Sequence, residues 1–269
     1  MSVLTDIITG VREDLEYRKE QVSMRQLAAH VQQLPPPRDP VPVMAAPGLS
    51  VIAEVKRKSP SKGDLAEITD PAGLARAYEQ GGAAAISVLT EQRRFNGSLA
   101  DLDAVRAEVT TPILRKDFTI DDYQILEARA HGADLILLIV AALDDVQLHD
   151  FHQIAGELGL RVLVEVHEEA EVERALRLDP VLLGVNARNL KTLQVHPEMF
   201  GRLAGLIPAG PLKVAESGIG GVGDAQRYVD AGADVVLVGE SLVRDGDPQA
   251  AVDRMSGLLP SKSHGVEGP

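Results

Sequence analysis

The segment Gly132-Ala133-Asp134-Leu135-Ile136-Leu137-Leu138 is a glycine turn that leads into an apolar strand, and it recurs along the chain. Variants stand at 82–89 (GAAAISVL) and 232–238 (GADVVLV), so the leading glycines are separated by 50 and then by 100 positions. One strand, its loop, a helix and the return turn take roughly 25 to 30 residues, so these gaps hold two and four such units. The segment 51–258 then has room for eight units, which predicts a (β/α)8 TIM barrel.

Short apolar runs supply the eight predicted strands. Leu135–Val140 is apolar throughout, which is typical of a strand buried on both faces. The strands are predicted at Ser50–Lys56, Ala84–Leu89, Ile113–Lys116, Leu135–Val140, Val162–Val166, Leu182–Val185, Leu212–Ala215 and Val235–Val238. The helices between them are predicted from Pro71, to about Val109, over 121–131, from the cap Asp144 to Gly159, to about Leu178, from Pro197, over 223–231 and over 248–258, with 90–98 as a loop.

An N-terminal extension precedes the barrel. Residues 2–33 are predicted to be helical, because Leu4, Ile8, Val11 and Leu15 form one apolar stripe. The proline-rich segment 34–42 can form neither a helix nor a central strand. The predicted domains are therefore the extension with its Pro-rich linker (1–42), a barrel catalytic domain (43–259) and a disordered tail (260–269).

Composition excludes several classes of partner. The chain has 269 residues, a net charge of −13 and no cysteine. The negative charge argues against nucleic acid or an anionic membrane as a partner, although a local positive site can still bind a small anion. No apolar run approaches the roughly 18 residues of a membrane span. We expect a cytoplasmic protein with a small-molecule substrate and with neither a metal nor an organic cofactor. A monomer is the favoured oligomeric state.

Polar side chains end five of the predicted strands. Their shared position at the carboxyl ends predicts a ring around one central cavity, because barrel active sites lie at that face. The ring consists of Glu54, Lys56, Lys116, Glu165, Asn186 and Glu216. A lysine that faces glutamates can act as a general acid beside a carboxylate base, and it can alternatively form a Schiff base. The pattern of residues leaves both possibilities open.

Glycine-rich turns follow the last two strands. The segments 216–221 (ESGIGG) and 238–241 (VGES) let backbone N–H groups approach an anion closely, and barrels often bind phosphate with these two loops. Lys56 or Arg188 could add a positive charge. The run 218–223 also satisfies G-x-G-x-x-G, but it lies too near the C-terminus for a dinucleotide-binding domain to follow.

Together these motifs resemble the indole-3-glycerol phosphate synthase family from about Leu4 to Leu258. The segments that carry the resemblance are 52–61 (IAEVKRKSPS), 87–91 (SVLTE) followed by 95–98 (FNGS), 113–118 (ILRKDF), 184–190 (GVNARNL) and 215–219 (AESGI). The resemblance implies ring closure, decarboxylation and dehydration of 1-(2-carboxyphenylamino)-1-deoxyribulose 5-phosphate to indole-3-glycerol phosphate. It also implies that the N-terminal extension lies over the barrel mouth.

The resemblance implies roles for individual residues. Lys116 would be the general acid for ring closure, oriented by Glu165, and Lys56 would hold the carboxylate and assist dehydration, with Glu54 as its base. Asn186 and Glu216 would bind substrate hydroxyls or the anilino nitrogen, and Arg188 would be a further substrate contact. Backbone groups of Ser217, Gly218, Gly239 and Glu240 would take the phosphate, with Ser59 nearby. The apolar slot for the aromatic ring would consist of Pro60, Phe95, Phe118 and Leu137 or Leu138.

Two rival functions follow from the same residues. Another phosphate-binding barrel enzyme, such as a sugar-phosphate isomerase or a Schiff-base aldolase, would also need lysines and a phosphate site. A non-catalytic ligand-binding barrel is the second rival. The ring of six polar residues argues against it, because simple binding does not require opposed acids and bases.

Overall fold

Eight parallel strands close into a barrel in the computed structural model, which describes residues 3–59, 63–64, 68–190, 192–244 and 246–261. The strands are β1 (Ser50–Val55), β2 (Ala85–Leu89), β3 (Ile113–Lys116), β4 (Leu135–Ile139), β5 (Arg161–Val166), β6 (Leu182–Asn186), β7 (Leu212–Glu216) and β8 (Val235–Val238). Each begins and ends within one residue of its predicted position. The predicted TIM barrel is therefore confirmed.

The first strand closes the barrel by pairing with both the second and the last. Ile52 in β1 is in register with Ala85 of β2 on one side and with Leu237 of β8 on the other. The recurring glycine turns precede β2, β4 and β8, and Gly82, Gly132 and Gly232 each have a positive φ that only glycine adopts without strain.

Helices cover the outside of the barrel. The helices that follow the strands are Pro71–Gln80, Leu99–Glu108, Asp122–Ala130, Asp145–Glu157, Glu169–Leu176, Glu198–Ala204, Val222–Asp230 and Pro248–Met255. The last helix ends three residues before its predicted end, and the tail beyond Ser261 lies outside the described residues.

Short elements appear in segments predicted as loops. A two-stranded hairpin (Lys58–Ser59 with Gly63–Asp64) follows β1, and a helical turn (Gln92–Phe95) follows β2. Further short helices are Val140–Ala142, of the 3₁₀ type, and Glu240–Val243. The turn at 92–95 forms because the buried carboxylate of Glu91 accepts hydrogen bonds from three consecutive backbone N–H groups.

The N-terminal extension, predicted to be helical over 2–33, consists of two helices, α1 (Val3–Gln21) and α2 (Met24–Val31). Ser23 separates them because its side chain and that of Gln26 form a reciprocal capping box that begins α2. The buried stripe of α1 includes Ile7 instead of the predicted Ile8.

The linker was also predicted incorrectly at its end, because Val41–Met44 forms a helical turn. Pro42 is tolerated in the first turn, where its missing N–H would have no partner in the helix. Met44, which is 1% exposed, packs with the inward-facing side chains of the barrel, among them Ile52 and Val235. This turn therefore forms the floor of the barrel.

Apolar packing occurs in two layers. One layer lies between the strands and the outer helices and contains the outward-facing residues of alternate strand positions, such as Val51, Ile86 and Leu138. The other fills the barrel interior and extends from Met44 at the floor to Ile7 of α1. Within the described part of the chain, no helix has the length and apolar character that a bilayer crossing requires.

Candidate active site

A cavity of about 570 Å³ opens at the carboxyl ends of the strands. Apart from Leu138, the predicted site residues within the described ranges all line it: Glu54, Lys56, Ser59, Phe95, Lys116, Phe118, Leu137, Glu165, Asn186, Arg188, Glu216, Ser217, Gly218, Gly239 and Glu240. Pro60 lies outside the described residues. The barrel thus brings together side chains from segments that are more than 180 residues apart in sequence, because the carboxyl ends of parallel strands meet at one face.

Lys116 lies at the centre of the charged part of this cavity. It ends β3, and its Nζ lies 3.1 Å from Glu165 Oε2 and 3.4 Å from Glu216 Oε2. Burial alone would lower the pKa of Lys116, but the carboxylates of Glu165, Glu216 and Glu54 outweigh it and hold that pKa well above its usual range. Lys116 is therefore an ammonium group.

The two glutamates beside Lys116 have opposite tendencies. Burial and the negative charge of Glu165 raise the pKa of Glu216 well above its usual value. Burial would do the same to Glu165, but the charges of Lys116 and His167 hold its pKa far below the usual value. The negative charge beside Lys116 is therefore held mainly by Glu165, and of the two glutamates Glu216 takes up a proton more readily.

A second lysine–glutamate pair lies on β1. Lys56 Nζ donates a hydrogen bond to Oε1 of Glu54, and the Glu54 side chain is 5% exposed. The backbone of Gly239 lies directly against Glu54, since a Cβ at this glycine would lie 2.9 Å from Glu54 Oε1. The acidic group of β1 and the predicted phosphate loop after β8 are therefore in contact.

The loop after β7 is held in an unusual backbone conformation. Ser217 and Gly218 both have positive φ, at 68° and 75°. Tyr228 donates a hydrogen bond to the carbonyl of Ser217 (3.0 Å), and Ser217 donates one to Asn186 Oδ1 (2.8 Å). A strained serine over-determined by its neighbours is typical of functional loops.

The cations of the cavity are distributed over several loops. Arg188 follows β6, and its Nη1 donates a hydrogen bond to the Leu193 carbonyl at 2.9 Å. Arg244 lies beside the loops after β7 and β8 and lines the cavity there, although the sequence analysis did not predict it. With Lys56 and Lys116, these groups provide local positive charge in a protein of net charge −13.

Aromatic and aliphatic side chains form one wall. The ring centroids of Phe95 and Phe118 are 6.2 Å apart with a tilt of 40°, and Leu137 lies in the same interior cluster. Of the two leucines predicted for this wall, Leu138 faces the outer layer and does not line the cavity. An aromatic ring of a ligand fits such an apolar slot.

Helix α1 covers the cavity mouth. Its residues Val3, Leu4 and Ile7 line the cavity, although the sequence pattern did not identify them as site residues. The helix is anchored by charge pairs to the loops beneath it, for example Arg93 with Asp14 at 2.7 Å and Lys19 with Asp121 at 2.8 Å.

A buried charge network supports Lys116 from behind. The neighbouring side chain Arg115 points to the outer layer and pairs with Asp117 (3.0 Å) and Glu127 (2.9 Å). Glu127 in turn accepts a hydrogen bond from Arg18 of α1 at 2.8 Å. The strand that carries Lys116 is thereby connected to the extension that covers the site.

His167 is a residue that the sequence analysis missed. It follows β5, and its Nε2 lies 3.2 Å from Glu165 Oε1 while its Nδ1 lies 3.3 Å from Glu171 Oε2. Burial would lower its pKa, but the two carboxylates raise the pKa of His167 to about 9. The spacing of Glu165 and His167, two positions apart at a strand end, was the available signal, because such residues point to the same side.

Comparison with known proteins identifies the family that shares these features. Residues 4–255 match the family described as indole-3-glycerol phosphate synthase. Curated relatives of that name include one from Nocardioides sp., 64% identical over 96% of this chain and 99% of its own length, and one from Mycobacterium avium, 55% identical over 93% and 92%. A Streptomyces coelicolor relative named indole-3-glycerol phosphate synthase 1 is 56% identical over 98% of this chain and 99% of its own length.

Solved structures with little sequence identity share the fold alone. The 3-hexulose-6-phosphate synthase from Salmonella typhimurium is 15% identical, with a TM-score of 0.59 over 77% of this chain and 96% of its own. The thiamine phosphate pyrophosphorylase from Pyrococcus furiosus is 18% identical, with a TM-score of 0.56 over 77% and 93%. Barrels of this shape therefore host different chemistries, and the side chains at the mouth distinguish them.

Proposed function

This chain belongs to the indole-3-glycerol phosphate synthase family, and from that premise we propose how its own residues carry out the reaction. The enzyme is a carboxy-lyase of tryptophan biosynthesis. It converts 1-(2-carboxyphenylamino)-1-deoxyribulose 5-phosphate to indole-3-glycerol phosphate, CO2 and water. The substrate thus presents an aromatic carboxylate, a carbonyl, hydroxyl groups and a phosphate to the cavity.

The observation that carries the assignment of roles is Lys116 between Glu165 and Glu216, 3.1 and 3.4 Å away. Ring closure forms a bond between the carboxylate-bearing ring carbon and the carbonyl carbon, and the carbonyl oxygen must gain a proton. The ammonium group of Lys116 donates that proton. Glu165 keeps Lys116 oriented, and Glu216, whose pKa is raised by burial and by the charge of Glu165, forms a hydrogen bond with a substrate hydroxyl or with the anilino nitrogen.

The later steps fall to the pair on β1. Loss of CO2 breaks the bond between the ring carbon and the carboxylate, and its electrons restore the conjugated system. Dehydration then removes the hydroxyl formed from the carbonyl together with a proton. Lys56 first neutralises the carboxylate and afterwards protonates the departing hydroxyl, while Glu54, in contact with Lys56, accepts the proton.

Binding contacts follow the chemistry of each substrate group. The phosphate occupies the end of the cavity formed by Ser217, Gly218, Gly239 and Glu240, where backbone groups approach closely, with Ser59 at its edge. The aromatic ring occupies the wall of Phe95, Phe118 and Leu137, with Leu4 and Ile7 of α1 above it. Asn186 and Arg188 contact the substrate between these two ends.

The decisive test is the appearance of indole fluorescence when the wild-type protein receives the carboxyphenylamino substrate in the presence of EDTA. We expect Lys116→Ala to lose about 100-fold or more in kcat, since general acid catalysis commonly contributes at least that much. Its affinity for inorganic phosphate should remain. A matched control is Lys213→Ala, because Lys213 lies near the amino end of β7, whereas the cavity lies at the carboxyl ends of the strands.

Two results would count against the proposal. A lysine adduct trapped by borohydride with substrate would favour the Schiff-base alternative. Activity that disappears in EDTA and returns with a divalent metal would contradict the expectation that no metal is needed. The monomeric state and the cytoplasmic location stay predictions.

A further inference from the structure

His167 occupies a position between two cavities. Glu165, its partner on β5, lines the cavity of the active site, whereas His167 itself lines a neighbouring cavity of about 520 Å³ beneath the N-terminal end of α1. His167 does not line the active-site cavity, whereas Glu165 does. Glu165 is therefore the residue that connects His167 to this cavity.

The two oxygens of Glu165 have different partners. Oε2 accepts a hydrogen bond from Lys116 Nζ at 3.1 Å, and Oε1 lies 3.2 Å from His167 Nε2. On its far side, His167 is held by Glu171, which contacts Nδ1 at 3.3 Å and also accepts a hydrogen bond from the His167 backbone N–H at 2.7 Å. The imidazole is therefore fixed between two carboxylates.

We infer that His167 is a positioning residue for the general acid: as an imidazolium between Glu165 and Glu171, it fixes the Glu165 carboxylate against Lys116. The inference rests on the proposed role of Lys116 as the proton donor. A carboxylate held at one oxygen presents its other oxygen in a single direction. The Lys116 ammonium group then samples fewer orientations before it reaches the one from which it donates its proton. The nearby positive charge also lowers the proton affinity of Lys116 and makes it a better acid.

The charged surroundings favour this charge state. Glu165 and Glu171 are the groups in contact with the ring, and both raise the pKa of His167, which reaches about 9 against the opposing effect of burial. The other charged or titratable groups around it are Lys116 and Glu216, across Glu165, and Glu168, Arg174, Arg188 and His196, which line the same cavity as His167. At neutral pH these two carboxylates therefore favour the positively charged imidazole of His167 between them.

The test compares the single-turnover rate constant, as a function of pH, for the wild type, His167→Gln and Glu171→Gln. In the wild type we expect the rate constant to fall as pH rises through about 9, because a neutral imidazole no longer carries the positive charge that attracts both carboxylates. His167→Gln should lower the rate constant about tenfold, which is part of the contribution of the general acid, and should change KM less than about threefold. It should also lack the fall in rate at alkaline pH, the alkaline limb of the profile. Glu171→Gln should move the limb to lower pH, because one stabilising carboxylate is gone.

Glu171→Gln is a mild change, since its amide oxygen can still accept the hydrogen bond from the His167 backbone. Glu168→Gln is the matched control. It removes an equal charge from the exposed position next to His167, at the start of the helix that carries Glu171. Among the described residues, the Glu168 side chain has no contact with the His167 ring. This control should retain the wild-type pH profile.

A direct measurement separates this inference from the proposed function. In the ¹⁵N spectrum of histidine-labelled protein, we expect the resonances that disappear in His167→Gln to belong to a doubly protonated ring at about pH 7. A neutral His167 at that pH, or a His167→Gln enzyme with unchanged rate and pH profile, overturns the inference while the function stands. A wild type that does not form indole-3-glycerol phosphate would instead overturn the function, and the spectrum would still report whether His167 is a cation.

Discussion

Gly184 and Glu216 lie on adjacent strands so closely that a Cβ at Gly184 would overlap Oε1 of Glu216. Gly184 lies on β6, one residue before Val185, and is in register with Glu165 of β5. It is therefore placed between β5, which carries Glu165, and β7, which carries Glu216. Its missing side chain is the space that Glu216 occupies. The position of Glu216 beside Lys116 therefore depends on a glycine that has no chemical function of its own.

Gly184→Ala is expected to displace Glu216 and to lower kcat by about 10- to 100-fold, since a misplacement of about 1 Å in an active site can cost this much. Overpacking should also reduce the free energy of unfolding by about 1–3 kcal/mol. Both are measured on one preparation, by the indole assay and by urea denaturation. Gly156→Ala, at a helical position with open space around the added methyl, serves as the control and should keep full activity. An active Gly184→Ala enzyme would mean that the position of Glu216 is not needed.

Arg115 provides a prediction about stability. Its side chain is 3% exposed and lies between Asp117 and Glu127, so Arg115→Ala removes the cation paired with buried Asp117 and leaves Glu127 with Arg18 alone. Breaking a buried ion pair on one side typically costs about 3–5 kcal/mol, and we expect a loss of that size in the free energy of unfolding. Urea denaturation measures it, with the exposed Arg25→Ala as a control that should change stability by less than about 0.5 kcal/mol. A loss below about 1 kcal/mol for Arg115→Ala would contradict the network.

The charge pairs of Arg93 predict a change in substrate binding. Arg93 joins the loop after β2 to Asp14 and Glu13 of α1, both at 2.7 Å, and these groups are substantially exposed. Exposed pairs contribute about 1 kcal/mol or less, so Arg93→Ala should raise KM by at most about fivefold and leave kcat nearly unchanged. The effect should shrink in high salt because exposed charges are screened. Arg12→Ala, on an exposed position of the same helix, should alter neither parameter; a large fall in kcat for Arg93→Ala would indicate a role beyond anchoring α1.

Strand-end periodicity predicted much of the candidate site. Glu54 and Lys56, two positions apart, were expected to share a side, and they form a pair in the cavity. The same rule applied to Glu165 includes His167, but the predicted strand ends at Val166. The rule also does not give pKa values, because the raised pKa of Glu216 depends on its burial and on the charge of Glu165, two strands away.

The position of the N-terminal extension was beyond sequence pattern alone. The periodicity of α1 identified an apolar stripe but selected Ile8 in place of Ile7 for its buried side. Docking is decided by contacts distant in sequence, such as Arg18 with Glu127, which are 109 positions apart. Local periodicity contains no information about such pairs, so the contribution of Leu4 and Ile7 to the cavity could only be found in the folded protein.

His167 gives the enzyme a stability that depends on pH. Its folded pKa of about 9 lies above the ordinary value of 6.5, so the folded protein binds this proton more tightly than the unfolded chain does. The stabilisation is therefore fully present below the unfolded pKa and is lost as pH rises through the folded pKa. For a side chain that is 11% exposed, it amounts to on the order of 3 kcal/mol.

Urea unfolding at about pH 6 and about pH 9 should record this loss for the wild type, and His167→Gln should record a much smaller one. His149→Gln, at a 66% exposed side chain, should follow the wild type. Equal wild-type stability at the two pH values would mean that the two carboxylates do not hold His167 as a cation.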